Sequence, residues 1–98
     1  MSFTRYIVEE DHEKVMWMDW NWNKHRDGDL PAIEYKDGTK MWYKNGKKHR
    51  DNDLPAVIFP DGHQEWWVNG KLHRDEGPTI IRSEGHVFYV RNGEDYTP

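Results

Sequence analysis

The tripeptide His-Arg-Asp occurs at residues 25–27, 49–51 and 73–75, a pitch of 24 residues kept over three copies. A period of this length marks one supersecondary unit copied along the chain. It constrains the fold to a stack of like units, each touching only its neighbours. It also changes what a single residue can mean. A histidine found once invites a catalytic assignment; one found in every copy belongs first to whatever joins the copies.

On this period the chain is one repeat domain. It divides into a degenerate N-terminal half-unit (1–16), three units (17–40, 41–64 and 65–86) and a C-terminal half-unit (87–98). Trp42-Tyr43-Lys44-Asn45-Gly46-Lys47-Lys48-His49-Arg50-Asp51 returns as Trp66-Trp67-Val68-Asn69-Gly70-Lys71-Leu72-His73-Arg74-Asp75. The triplet is followed by Gly28-Asp29-Leu30-Pro31-Ala32 and Asn52-Asp53-Leu54-Pro55-Ala56, but the third copy loses a residue and reads Glu76-Gly77-Pro78-Thr79. The first unit is worn: Asn21 aligns with Asn45 and Asn69, while Trp22 stands where Gly46 and Gly70 stand. Atypical end units are expected, because the ends of a stack must be capped.

Local chemistry points to strands throughout. Asn45-Gly46 and Asn69-Gly70 lie between strand-forming residues, and Asn-Gly is the preferred pair for a type I′ hairpin, which needs positive φ at both central positions. Asp37-Gly38 and Asp61-Gly62 are expected to act alike. Pro31, Pro55 and Pro78 open the strand after each triplet, a place where a missing N–H is tolerated. No segment sustains a 3.6-residue period, so no helix is predicted. The expected fold is all-β: a single-layer antiparallel β-meander of tandem hairpin repeats with about eight to ten short strands, curled enough that its ends could approach. Its edge strands, residues 3–8 and 87–91, must otherwise be blunted or paired, and they leave room for a homodimer.

A chain of 98 residues buries a limited core, and 6 Trp, 5 Tyr and 3 Phe supply large side chains for a thin sheet. The net charge of −4 is mild and mixed in sign, which gives no broad nucleic-acid footprint. With no Cys, disulfides and thiolate metal sites are excluded. Residues 1–15 contain no apolar run of the kind a signal peptide or membrane span needs, so a cytoplasmic protein without membrane association is expected.

The Trp42-Tyr43-Lys44-Asn45-Gly46-Lys47 and Trp66-Trp67-Val68-Asn69-Gly70-Lys71 segments resemble the aromatic-x-x-Asn-Gly core of MORN-type repeats (membrane occupation and recognition nexus). The longer plan, with His-Arg-Asp and Pro-Ala, is similar to MORN-like repeat proteins of large DNA viruses, phages and bacteria, some of them antitoxin-like. The resemblance covers about residues 16–93. It departs from the usual Gly-x-Tyr-x-Gly-x-Trp, much of which is replaced by His-Arg-Asp. It implies an elongated meander with aromatic residues stacked along one face, acting as a scaffold or binding surface.

His25, His49 and His73 could form an imidazole ladder for a metal or anion. Ligands of one ion must lie within about 2.0–2.2 Å of it, and copies in successive units are too far apart. A repeated hydrogen bond to a neighbouring turn or to Asp is the favoured role. Arg26, Arg50 and Arg74 with Asp27, Asp51 and Asp75 could read phosphate or carboxylate through the guanidinium fork; a repeated Arg–Asp pair tying one unit to the next is favoured. The triplet also occurs in the protein-kinase catalytic loop, but no Gly-rich loop or Asp-Phe-Gly accompanies it. Asp27-Gly28-Asp29 and Asp51-Asn52-Asp53 begin like calcium loops, yet Gly38 and Gly62 stand where the loop needs its last Glu.

Adjacent aromatic residues such as Trp66-Trp67 point to opposite faces of a strand, so one of each pair faces out. The candidate binding residues are Trp20, Trp22, Arg26, Tyr43, Arg50, Trp67 and Arg74, since Trp, Tyr and Arg dominate binding hot spots. No catalytic constellation, metal site or cofactor is expected. The expected function is a non-enzymatic module that sequesters or inhibits a protein partner, as an antitoxin or a viral or phage anti-host factor does. The alternative is a nucleotide or nucleic-acid binder using the Arg and Trp rows.

Overall fold

The computed structural model describes residues 6–96, and among these every regular element is a β-strand. The strands are β1 (Ile7–Glu10), β2 (Lys14–Met18), β3 (Ile33–Tyr35), β4 (Lys40–Met41), β5 (Tyr43–Lys44), β6 (Lys47–Lys48) and β7 (Val57–Ile58). They continue as β8 (Gln64–Glu65), β9 (Trp67–Val68), β10 (Lys71–Leu72), β11 (Ile80–Ile81), β12 (Val87–Phe88), β13 (Val90–Arg91) and β14 (Glu94–Asp95). Eight form one antiparallel meander in the order β1-β2-β3-β4-β7-β8-β11-β12. The remaining six make three ribbons, β5–β6, β9–β10 and β13–β14. The meander matches the expected topology. The Asn-Gly hairpins are present as expected but leave the sheet as separate ribbons: the second unit gives β5 and β6 to a ribbon and β7 and β8 to the sheet, and the described residues hold fourteen short strands in place of the expected eight to ten.

The sheet is open, with β1 and β12 at its margins, so its ends do not meet. The expected C-terminal edge strand is split at Tyr89 into β12 and β13, and residues 3–5 of the N-terminal one lie outside the described residues. The molecule measures 46 × 28 × 20 Å. No helix among the described residues is long and apolar enough to cross a membrane.

Two turn chemistries build each unit. Asn45-Gly46, Asn69-Gly70 and Asn92-Gly93 close the ribbons with both residues at positive φ (53° and 83°, 50° and 81°, 50° and 81°), which is the I′ geometry expected of Asn-Gly. The Asp-Gly turns differ. At Asp37-Gly38 and Asp61-Gly62 only the glycine is left-handed, at 102° and 96°. Gly62 N–H donates to Phe59 O (3.1 Å) and Phe59 N–H to His63 O (2.9 Å), a three-residue loop made of a type I turn and a left-handed closing residue. Pro60 suits the second position of that turn, and the Asp61 carboxylate accepts the His63 N–H at 3.0 Å.

A single tryptophan marks where the chain leaves the sheet. Trp42 lies between β4 and β5; its N–H donates to Ala56 O (2.7 Å) and its carbonyl accepts from His49 N–H (3.2 Å). Trp66 does the same with Thr79 and His73 (2.9 and 3.2 Å). Both indoles are buried, as are Met18, Ile33, Val57, Ala32 and Ala56, and together these make the core. The alanines are fully buried, and each accepts at its carbonyl the N–H of its own unit's tryptophan, Trp17 for Ala32 and Trp42 for Ala56.

Thr79 takes the alanine place in the last copy. It too is fully buried, and its hydroxyl donates to Val90 O (2.7 Å) and accepts from Val90 N–H (2.8 Å). It pins the C-terminal half-unit to the third unit. Thr79→Val keeps the shape but orphans two buried backbone groups, so denaturant unfolding should show a loss of about 1–3 kcal/mol. Ala56→Thr adds atoms at a fully buried position and should destabilise by overpacking, by about 1–3 kcal/mol in the same measurement.

Candidate binding surface

The His-Arg-Asp triplet is the joint between units. Arg50 lies flat on Trp42, its guanidinium carbon 3.7 Å from the ring centroid, and Arg74 lies on Trp66 at 4.0 Å. Arg50 Nε and Nη2 donate to the Asp29 carboxylate of the preceding unit (3.0 and 3.3 Å), and Arg74 treats Asp53 likewise (2.9 and 3.3 Å). Nη1 donates to Pro55 O and to Pro78 O (3.1 and 3.0 Å). The joining Arg–Asp pair is thus real, but its acid is Asp29 or Asp53 and not the Asp of the triplet.

The triplet's own aspartates serve the histidines. His25, His49 and His73 donate from Nε2 to Asp27, Asp51 and Asp75 (2.9, 2.7 and 2.8 Å). Nδ1 of each accepts a backbone N–H from the next ribbon, of Asn45, Asn69 and Asn92 (3.0, 3.0 and 3.1 Å). A ring nitrogen facing an N–H carries no proton, so these bonds define the tautomer. The ribbons also bond directly, Gly46 N–H to Lys24 O and Gly70 N–H to Lys48 O, both 2.9 Å. The three arginine nitrogens and two histidine nitrogens of each filled joint are therefore committed within the stack. Among the described residues no cluster of three His, Cys, Asp or Glu suited to a metal is present.

Of the sequence-selected residues, Arg50 and Arg74 thus sit inside joints, with side chains 14% and 18% exposed. Arg26 begins the series: it stacks on Trp17 at 3.7 Å and donates to Pro31 O at 3.3 Å. Tyr43 and Trp67 are half-buried on the ribbons, each under a lysine of the preceding unit: Lys24 Nζ lies 5.3 Å from the Tyr43 ring and Lys48 Nζ 4.6 Å from Trp67. Trp67 Nε1 donates to Glu65, which also pairs with His63 (both 2.8 Å).

Trp20 and Trp22 stand apart, each 62% exposed. The first unit has an extra residue in its ribbon turn, so Trp22 does not occupy the Asn-Gly glycine place after all. Trp22 N–H donates to Asp19 O (3.0 Å) and Asp19 N–H to Asn23 O (2.9 Å), which is the three-residue loop of the Asp-Gly turns. Trp22 fills the closing position held elsewhere by Gly38, Gly62 and Gly85, at φ 66°. A bulky side chain there is strained by about 1–2 kcal/mol. Asp19 braces the loop, accepting from the N–H groups of Asn21 and Asn23 (both 2.9 Å). Those bonds, the Asn23 N–H first, hold its carboxyl below the ordinary value.

Lysines adjoin this turn. Asn23 Oδ1 would lie 3.2 Å from a Cβ placed on Gly46, so the Trp22 loop and the second ribbon turn touch. Residues 39–50 carry Lys40, Lys44, Lys47, Lys48 and Arg50 and no acid. The loop that carries the two exposed indoles thus meets, at Asn23, a basic ribbon turn on a chain that is acidic overall. No protein-family model matches this chain, nor does any curated protein or solved structure.

Arg50→Lys keeps the charge but loses the fork and the stacked plane, and should cost about 1–3 kcal/mol in urea unfolding. The carboxyls of Asp11, Asp19 and Asp37 are lowered chiefly by backbone N–H donors, and that of Asp51 chiefly by the His49 bond. Groups lowered on folding stabilise above their unfolded value and lose that contribution as pH falls through the folded one. Urea midpoints should therefore be flat above about pH 5 in respect of these groups and fall between about pH 4 and 2.

Proposed function

We propose that this is a non-enzymatic, cytoplasmic binding module that engages a partner protein through the Trp20/Trp22 turn and the lysines beside it, and so sequesters or inhibits that partner. One observation carries the proposal. A tryptophan occupies a left-handed turn position that glycine fills in the equivalent loops, and it is exposed and not packed. Stability alone favours glycine there, so the strain is retained for what the indole contacts. The resemblance to MORN-like repeat proteins, with their antitoxin-like and viral members, agrees with a binding role. The open margins at β1 and β12 offer a second copy a place to pair.

A nucleic-acid role would use the Arg and Trp rows, but Arg50 and Arg74 are spent on Asp29 and Asp53, and lysines cover one face of Tyr43 and Trp67. Trp22→Gly should raise stability by about 1 kcal/mol and at the same time abolish capture of partner protein from host lysate. Trp20→Ala should abolish capture without the gain, and Val8→Ala, at another exposed apolar site, should leave it intact. Capture unchanged by both tryptophan substitutions would refute the proposal; capture of nucleic acid, lost steeply with salt, would favour the alternative.

A further inference from the structure

The chain holds six asparagines, and three of them, Asn45, Asn69 and Asn92, precede glycine. Asparagine in that position is open to deamidation, because glycine has no side chain to hinder its own nitrogen. The glycine nitrogen attacks the side-chain carbonyl carbon of the asparagine, and a new C–N bond closes a succinimide ring. The side-chain amide nitrogen leaves as ammonia and takes the glycine proton with it. Water then opens the ring, giving aspartate or, with the backbone rerouted through the side chain, isoaspartate. The reaction needs only the chain and water.

In this fold the attacking nitrogen is already engaged. Gly46 N–H donates to Lys24 O and Gly70 N–H to Lys48 O, both at 2.9 Å, and Gly93 N–H donates to Leu72 O at 3.1 Å. The asparagine N–H beside each is taken by a histidine of the preceding unit, His25, His49 or His73. Both residues of every pair are left-handed, as the I′ turn requires. Ring closure needs the glycine nitrogen to swing toward its own asparagine side chain, which breaks the turn and the tie to the preceding ribbon together. All three asparagines are exposed, so water reaches them, and what restrains the reaction is the backbone.

The three turns are not restrained alike. Ribbons β5–β6 and β9–β10 are tied on both flanks: each donates to the ribbon turn before it, and Lys48 O and Leu72 O accept from the ribbon after it. Lys48 and Leu72 are correspondingly half-buried, whereas both residues of β14, Glu94 and Asp95, are exposed. Thr79 pins β13 at Val90, so it is the turn and β14 that are free to open. In a stack whose units touch only their neighbours, an element held at one interface opens at less cost than one held at two. We propose that Asn92-Gly93 is a site of spontaneous deamidation in the folded protein, and that ribbon stacking keeps Asn45 and Asn69 as asparagine. Isoaspartate lengthens the backbone at the turn, so residue 92 loses its register with His73, and a carboxylate is added beside Glu94 and Asp95. The site lies at the opposite end of the stack from the Trp20/Trp22 turn and stands without the binding proposal.

The test incubates the unaltered protein in mildly alkaline buffer, folded in one sample and unfolded in urea in another. Peptide mapping by mass spectrometry follows the conversion at each Asn-Gly pair, and chromatography separates the isoaspartate product. In the folded sample Asn92 is expected to convert about tenfold or more faster than Asn45 and Asn69; in urea all three should convert at like rates. Native-state hydrogen exchange supplies a second reading, in which the Gly93 amide exchanges faster than those of Gly46 and Gly70. Equal conversion at the three pairs in the folded protein would overturn the assignment. So would Asn45 and Asn69 converting as fast folded as in urea, an Asn92 that stays intact in the folded sample while urea converts it, or an order of deamidation that the exchange rates do not follow. Neither measurement depends on a variant folding.

Discussion

The fold depends on one interaction repeated between units: a guanidinium laid on an indole and reaching back to an aspartate of the unit before. A sheet this thin has little interior, and its fully buried residues are few, chiefly Ala32, Ala56, Val57 and Thr79. Two-residue strands such as β4 and β5 have no stability of their own. Arg50 on Trp42 and Arg74 on Trp66 add a cation–π contact, a bidentate ion pair and a carbonyl bond at each joint, all partly screened from water. The histidines add a second tie, from Asp51 within the unit to Asn69 of the next ribbon. Taking away one partner of such a network leaves the others desolvated, which is why the triplet is kept whole.

Where the repeat is regular, the joint takes up the nitrogens of its own arginine and histidine. The informative places are the irregular ones. At the C-terminal end Thr79 replaces alanine and satisfies the last half-unit with a hydroxyl. At the N-terminal end the ribbon turn is longer, and Trp22 is strained and exposed.

Much of the architecture was legible because its signals are local. Asn-Gly demands two left-handed residues, and the ribbons have them. The period, the prolines and the absence of helical spacing led to an antiparallel meander. The Asp-Gly turns went differently because Asp37 and Asp61 sit in the right-handed half of a type I turn, which any residue adopts, leaving only glycine to mark the left-handed step. That the Asn-Gly hairpins leave the sheet was not legible, because a single residue, Trp42 or Trp66, separates β4 from β5 and β8 from β9. Nothing in the alternation of a strand announces that its hydrogen-bonding partner changes there. For the surface, exposed Trp20 and Trp22 were recognisable as a break in the repeat, but the extra residue that sets Trp22 on a glycine position showed only in its hydrogen bonds.

Sequence alone determined the repeat, its turns and the residue types of the joint, since period and turn chemistry act over a few neighbours. It also indicated that arginine and aspartate would tie the units. Only the tertiary structure decided which aspartate: Asp29 and Asp53 are 21 residues from their arginines, while the nearer Asp51 and Asp75 go to histidine. That choice follows from how one unit lies on the next, a geometry that no short window contains. For the same reason only the stacked fold shows that Arg26 lies on Trp17 in the pose of Arg50 on Trp42.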